Sequence, residues 1–111
     1  MPKKIKIKKI IIASDHAGFG LKEKVKKFLI FKGKKVLDLG TRNKNSVDYP
    51  DFAHILSRKI KKDDTQIGIL ICGSGIGMDI TANKHKNVRA ALCYNVKSAK
   101  LSRQHTNANV I

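Results

Sequence analysis

Acidic residues are scarce in this 111-residue chain, 8 against 24 lysines and arginines; tryptophan is missing, and there are only two cysteines and two prolines. Two cysteines are too few for a disulfide framework, and both Cys72 and Cys93 close apolar runs of strand type, so they read as thiols of a reducing compartment. No apolar run approaches the roughly 20 residues that span a bilayer, and the basic N-terminus leads into a short apolar run with no signal-peptide core or cleavage pattern. A cytoplasmic location without membrane contact is the expectation. Aromatic residues make up 5% of the chain and are not interleaved with the basic clusters, which removes the stacking platforms of single-strand nucleic-acid binders.

What is abundant is positive charge, formally +16. Such a field attracts nucleic acid, acidic surfaces or phosphorylated small molecules. Most of the basic residues, however, fall in 3–9, 22–35 and 58–62, where they alternate with apolar residues as the solvated faces of strands and helices. Nucleic acid is therefore not expected as the main partner.

The apolar pattern predicts strands separated by helices. Residues 5–13, IKIKKIIIA, read as a first strand; 21–31 form a helix with Leu21, Val25, Phe28 and Leu29 inward and Gly33 as terminator. A short strand over 36–39 and a polar loop over 41–48 follow. A second helix opens at Tyr49-Pro50, buries Phe52, Ile55, Leu56 and Ile60, and ends at Asp63-Asp64. IGILIC at 67–72 is the most strand-like segment. A helix over 78–84, a strand over 88–92, a helix over 96–104 with Ala99 and Leu101 inward, and a strand starting at 109–111 complete the order. Connections too long for hairpins imply a parallel sheet with helices on both faces: an α/β, three-layer, doubly wound, Rossmann-like single domain over 1–111.

In such sheets ligands bind beyond the carboxyl ends of the strands. Those positions hold Ser14-Asp15-His16-Ala17-Gly18, Cys72-Gly73-Ser74-Gly75-Ile76-Gly77 and Cys93-Tyr94-Asn95. The glycine loop offers backbone amides to an anion. It lacks the GK[ST] of a P-loop, has Met78 where a dinucleotide fingerprint needs its third glycine, and has Met78 again where a cysteine phosphatase needs its arginine. An oxyanion site beside a thiol remains, with Cys72 placed where the following helix would stabilise a thiolate, a candidate base or nucleophile. Cys93 lacks such a loop and reads as a small buried residue; His54 and His85 receive no role. A metal site from Asp15, His16, Cys72 and His105 has no supporting local spacing.

SDHAGFGLKEKV at 14–25, DYPDFA at 48–53, GILICGSGIGMDITANK at 68–84 and RAALCYNVKSAKLSRQHTNANV at 89–110 together resemble the ribose-5-phosphate isomerase B family, which also includes galactose-6-phosphate isomerase subunits and allose-6-phosphate isomerases. The resemblance implies an aldose–ketose isomerase of the pentose phosphate pathway, working through an enediolate without metal or organic cofactor on a sugar phosphate. Cys72 matches the base that moves the proton between carbons 2 and 1, Gly73, Gly75 and Gly77 the oxyanion loop, and Ser74 a hydroxyl position within it. Asp15 and His105 match the pair that opens the furanose, the histidine coming from a neighbouring subunit of a homodimer or homotetramer. His16 and Tyr49 match substrate-pocket positions, as does Thr106, where the family carries asparagine. The resemblance also implies that the rest of the family's fifth strand and its C-terminal helix, with phosphate-binding arginines, lie outside these residues. Ribose 5-phosphate and ribulose 5-phosphate are the expected pair. Six-carbon aldose phosphates and a non-catalytic fragment binding anions or nucleic acid are the alternatives, and a dinucleotide oxidoreductase is disfavoured by the glycine pattern.

Overall fold

A computed structural model describes residues 7–61 and 65–111. Its sheet is built from β1 (Lys9–Ser14), β2 (Val36–Asp38) and β3 (Gln66–Ile71) in the order β2-β1-β3, all parallel. Ile10 lies opposite Val36, Ile12 opposite Asp38, and the register with β3 runs from Lys9 opposite Gln66 to Ser14 opposite Ile71. The β-branched run IIIA is buried on both sides, as a central parallel strand requires. Of the expected first strand, Ile5 and Lys6 lie outside the described residues.

Helix α1 (Phe19–Phe31) connects β1 to β2, and α2 (Tyr49–Lys59) connects β2 to β3 in the opposite direction across the sheet. Right-handed crossovers then put the two helices on opposite faces, giving the Rossmann-like α/β arrangement. Helix α3 (Ile76–Ala82) packs with α2; it starts two residues before the expected Met78 and ends two before Lys84. Helix α4 (Val96–Gln104) has the expected bounds, opened by a capping box in which Asn95 Oδ1 accepts from the Ser98 amide. Pro50 sits in the first turn of α2, but the helix closes at Lys59 because Ile60 turns extended; Asp63 and Asp64 lie outside the described residues.

Two expected strands shrink to single bridges. Val110 bridges Gly68 on one side and Ala90 on the other, so the 109–111 segment lies between β3 and the 88–92 segment. The Leu70 amide donates to the Ile111 carbonyl and the Ala91 amide to the Val110 carbonyl at 2.8 and 2.9 Å.

The main core lies on the α2–α3 face, where Ile11 and Ala13 meet Leu56, Ile60, Ala82, Val88 and Val110. Each such side chain contributes about 1.5–3 kcal/mol by leaving water. Ile55, expected inward, is exposed because Ala53, Leu56 and Ser57 form the buried stripe of α2.

The expected apolar face of α1 needs correction. Its only fully buried residue is Lys22, 1% exposed, whereas Leu21 and Phe28 are 56% and 59% exposed. The cause is Asp38 on the facing side of β2, whose carboxylate the Lys22 ammonium meets at 2.6 Å, so the helix turns its lysine to the sheet. Val25 and Leu29 are half-buried beside it. In α4 the buried residue is likewise Ser102, not Leu101, because the return segment crosses there closely enough for the Ala108 amide to donate to the Ser102 carbonyl.

Candidate active site

The carboxyl ends of β1 and β3 are tied together by the Asp15 amide, which donates to the Ile71 carbonyl at 3.2 Å. Two loops leave this rim. In the first, Asp15 is almost buried and its Oδ1 accepts from the Gly18 amide at 2.9 Å. The carboxylate therefore caps the turn into α1 and is held in one orientation. Beside it, His16 Nδ1 accepts from the Val47 amide at 3.1 Å. An acceptor at Nδ1 fixes the neutral imidazole as the tautomer with its proton on Nε2, which points a donor away from the 41–48 loop.

In the second loop, Cys72 follows the last residue of β3, and its Sγ accepts from the Gly75 amide at 3.0 Å. That contact requires the chain to turn back on itself, which Gly75 does with φ of +80°. Ser74 is exposed, and its Oγ accepts from the Ile76 amide at 3.2 Å. Gly77 has a different reason to be glycine: a Cβ there would stand 2.5 Å from the Tyr49 ring. Tyr49, the first residue of α2, is thereby pressed against the first turn of α3 and brought to the glycine loop.

A thiol with an amide donor, a nearly buried carboxylate and a tautomer-locked imidazole thus belong to the two loops of one rim, and the phenol of Tyr49 reaches the second of them from α2. Such a set can move a proton between adjacent carbons while amides receive negative charge on an oxygen. An open cavity of about 390 Å3 adjoins the loop on the α1 side of the sheet, lined by Leu21, Val25, Ile69, Ile71, Cys72 and Ile111 among others.

His105 and Thr106 are not brought to this rim within one copy of the chain. His105 caps the carboxyl end of α4, and both residues are exposed, with Thr106 Oγ1 donating to the Ser102 carbonyl at 2.6 Å. Cys93 borders the cavity and its thiol donates to the Ala91 carbonyl at 3.4 Å. Among the described residues no group of three or more His, Cys, Asp or Glu side chains could hold a metal ion, and no helix is long and apolar enough to cross a membrane.

Two features escaped the sequence reading. Asp79 lines the cavity from the first turn of α3, where burial raises its carboxyl above the ordinary value. His54 and His85 meet ring to ring with Nδ1 and Nε2 2.7 Å apart. Nothing local signals either: the histidines are 31 positions apart, and the burial of Asp79 depends on its neighbours in space.

Comparison with known proteins is consistent with this geometry. Residues 10–111 match the model of the Ribose/Galactose Isomerase family. The chain is 41% identical over 105 residues to ribose-5-phosphate isomerase B of Escherichia coli, covering 95% of this chain and 70% of that protein. It is 49% identical to a probable ribose-5-phosphate isomerase B of Mycoplasma genitalium, covering 92% and 68%. Among solved structures, a Thermotoga maritima ribose 5-phosphate isomerase superimposes with a TM-score of 0.87 at 52% identity, covering 92% of this chain and 70% of that one. The Mycoplasma genitalium enzyme with bound ribulose-5-phosphate does so with 0.88 at 48%, covering 95% and 70%.

Proposed function

The chain belongs to the ribose/galactose isomerase family and is an aldose–ketose isomerase; we propose that its substrate pair is ribose 5-phosphate and ribulose 5-phosphate, with Cys72 as the base. The observation that carries the role of Cys72 is the Gly75 amide 3.0 Å from Sγ at the mouth of the glycine loop. That amide fixes the sulfur in one orientation at the carboxyl end of β3, as a positioned proton-transferring group requires.

The reaction begins with the closed sugar. Asp15 takes the proton of the anomeric hydroxyl, the bond between carbon 1 and the ring oxygen breaks, and His105 of a neighbouring copy gives a proton to the ring oxygen; the exposed position of His105 supports that division between copies. Once the aldehyde is open, the Cys72 thiolate takes the proton from carbon 2. The electron pair moves into a carbon–carbon double bond, and the carbonyl oxygen becomes an enediolate oxyanion facing the glycine loop, at amides other than those of Gly75 and Ile76, which serve Cys72 Sγ and Ser74 Oγ. Its stabilisation there is electrostatic and needs no reorganisation of solvent. The proton of the carbon 2 hydroxyl passes to the carbon 1 oxygen, and the thiol returns its proton to carbon 1 as the carbonyl forms at carbon 2, giving the ketose. His16 and Tyr49 hold substrate hydroxyls, Ser74 and Thr106 offer further hydroxyl contacts, and the basic field of the chain draws in the phosphate. The position of His105 supports a functional unit of at least two copies.

The test is a proton NMR time course of ribose 5-phosphate with the 111-residue chain in deuterated water. We expect ribulose 5-phosphate to form with loss of the carbon 2 proton signal, and C72A to lower turnover by roughly a thousandfold or more, within the range ascribed to positioned acid–base groups. Wild-type turnover in C72A overturns the base assignment. Conversion of a six-carbon aldose phosphate in preference to ribose 5-phosphate overturns the substrate.

A further inference from the structure

Lys22 is among the largest side chains in the protein that are fully buried, and its burial is not explained by charge balance alone. Asp38 Oδ2 already has the half-buried ammonium of Lys26 at 2.8 Å, and Glu23 Oε2 has the same group at 3.1 Å. A second, desolvated ammonium at 2.6 Å from Asp38 and 2.9 Å from Glu23 adds a cost that an apolar side chain of similar volume would avoid.

What Lys22 adds is geometry, along two routes that meet at one residue. On the first, Asp38 Oδ1 accepts from the Gly40 amide at 2.9 Å, the Gly40 carbonyl accepts from the Ser14 amide at 2.8 Å, and the Thr41 amide donates to the Ser14 carbonyl at 2.9 Å. The corner after β2 therefore grips both backbone groups of the residue preceding Asp15. On the second, the Lys22 amide donates to the Gly18 carbonyl at 2.8 Å, and the Gly18 amide donates to Asp15 Oδ1 at 2.9 Å. The ion pair locks the first turn of α1 to the corner after β2, and Asp15 lies between them.

We propose that Lys22 is a positioning residue for the Asp15 carboxylate, acting through Asp38, an inference that rests on the ring-opening role proposed above for Asp15. The experiment compares two reactions in deuterated water. Conversion of ribose 5-phosphate starts from a ring. Exchange of the carbon 1 proton of ribulose 5-phosphate does not, because the hydroxyl that would close its ring carries the phosphate. A residue that only supports folding lowers both reactions together; one that aims Asp15 separates them.

D15N is expected to lower conversion far more than it lowers exchange. K22M, which fills the same space without the charge, is expected to lower conversion by tenfold or more, as a misplaced group does, with exchange changed by less than about twofold. D38N, which keeps the side-chain volume and the acceptor for Gly40, gives the same reading should K22M fail to fold. Equal losses of both reactions in these variants, or no loss of either, while D15N separates them, overturn the proposal. Failure of D15N to separate them overturns the role of Asp15 instead, and absence of both reactions in the unaltered chain overturns the isomerase reading.

Discussion

The two faces of the sheet are held by different physics. On one, Leu56, Ile60 and Ala82 close over Ile11 and Ala13, and burial of hydrocarbon stabilises the contact. On the other, α1 reaches the sheet through Lys22 and Asp38, leaves Leu21 and Phe28 more than half exposed, and borders an open cavity of about 390 Å3. The site straddles this divide. The Cys72 loop runs into α3 on the packed side, where Tyr49 and Gly77 interlock, whereas the Asp15 loop runs into α1 on the side organised by charge. The Cys72 loop therefore inherits rigidity from packing, and the Asp15 loop from an ion pair and a chain of backbone hydrogen bonds.

The sharpest way to break the contrast is to truncate the same residue type on each face. Leu56 is fully buried, so L56A removes its transfer energy and leaves a cavity, and a loss of about 3 kcal/mol is expected. Leu21 faces the open cavity and is already 56% exposed, so L21A is expected to cost about 0.5 kcal/mol or less, the range of surface changes. Urea unfolding midpoints of the two variants give the comparison directly. Similar losses at both positions would show that α1 is anchored by its apolar residues after all.

The charged face has its own signature in acid. Burial pushes the Asp38 carboxyl up, but hydrogen bonds from Lys22, Lys26 and the Gly40 amide outweigh it and hold the group at about 2, against 3.8 in the unfolded chain. A folded value below the unfolded one means that the unfolded chain binds more protons in this range. The contribution is full above pH about 4 and is lost as pH falls towards 2; a difference of this size corresponds to on the order of 2 kcal/mol. Urea midpoints between those limits should fall steeply for the unaltered chain and distinctly less for D38N. Parallel slopes would remove Asp38 from the account.

The same division decides what could be read from the sequence. IGILIC running directly into GSGIG signals a buried parallel strand opening into an amide-rich loop, and the period of α2 and the Pro50 start place Tyr49 at its beginning. These features are local, and the packed face follows from them. On α1 the apolar residues recur at helical spacing and lysine reads as the solvated side; only the carboxylate of Asp38, 16 positions away, reverses the helix. The segments at 88–92 and 109–111 are strand-like in composition, yet Val110 pairs with Gly68 and Ala90 one residue at a time. Pairing of this kind is set by neighbours in space, which periodicity does not encode.

The smallest expected effect lies on the packed face, at its one histidine pair. His54 is on α2 and His85 in the turn after α3, and a nitrogen separation of 2.7 Å requires one ring to donate and the other to accept. A second proton removes the acceptor. Burial above all, with His54 and Arg58 nearby, pushes His85 below its ordinary 6.5, so the folded chain binds fewer protons at this site than the unfolded one. Stability from the pair is therefore complete above pH about 6.5 and declines as pH falls below it. Melting temperatures near pH 7.5 and 5.5 should drop more for the unaltered chain than for H85Q, whose side chain does not titrate; equal drops would mean the contact carries no linked proton. Because α2 also carries Tyr49 against Gly77, a seam that loosens in acid lies on the same helix pair that positions the phenol, and the tyrosine ring resonances should shift over the same pH range in the unaltered chain but not in H85Q.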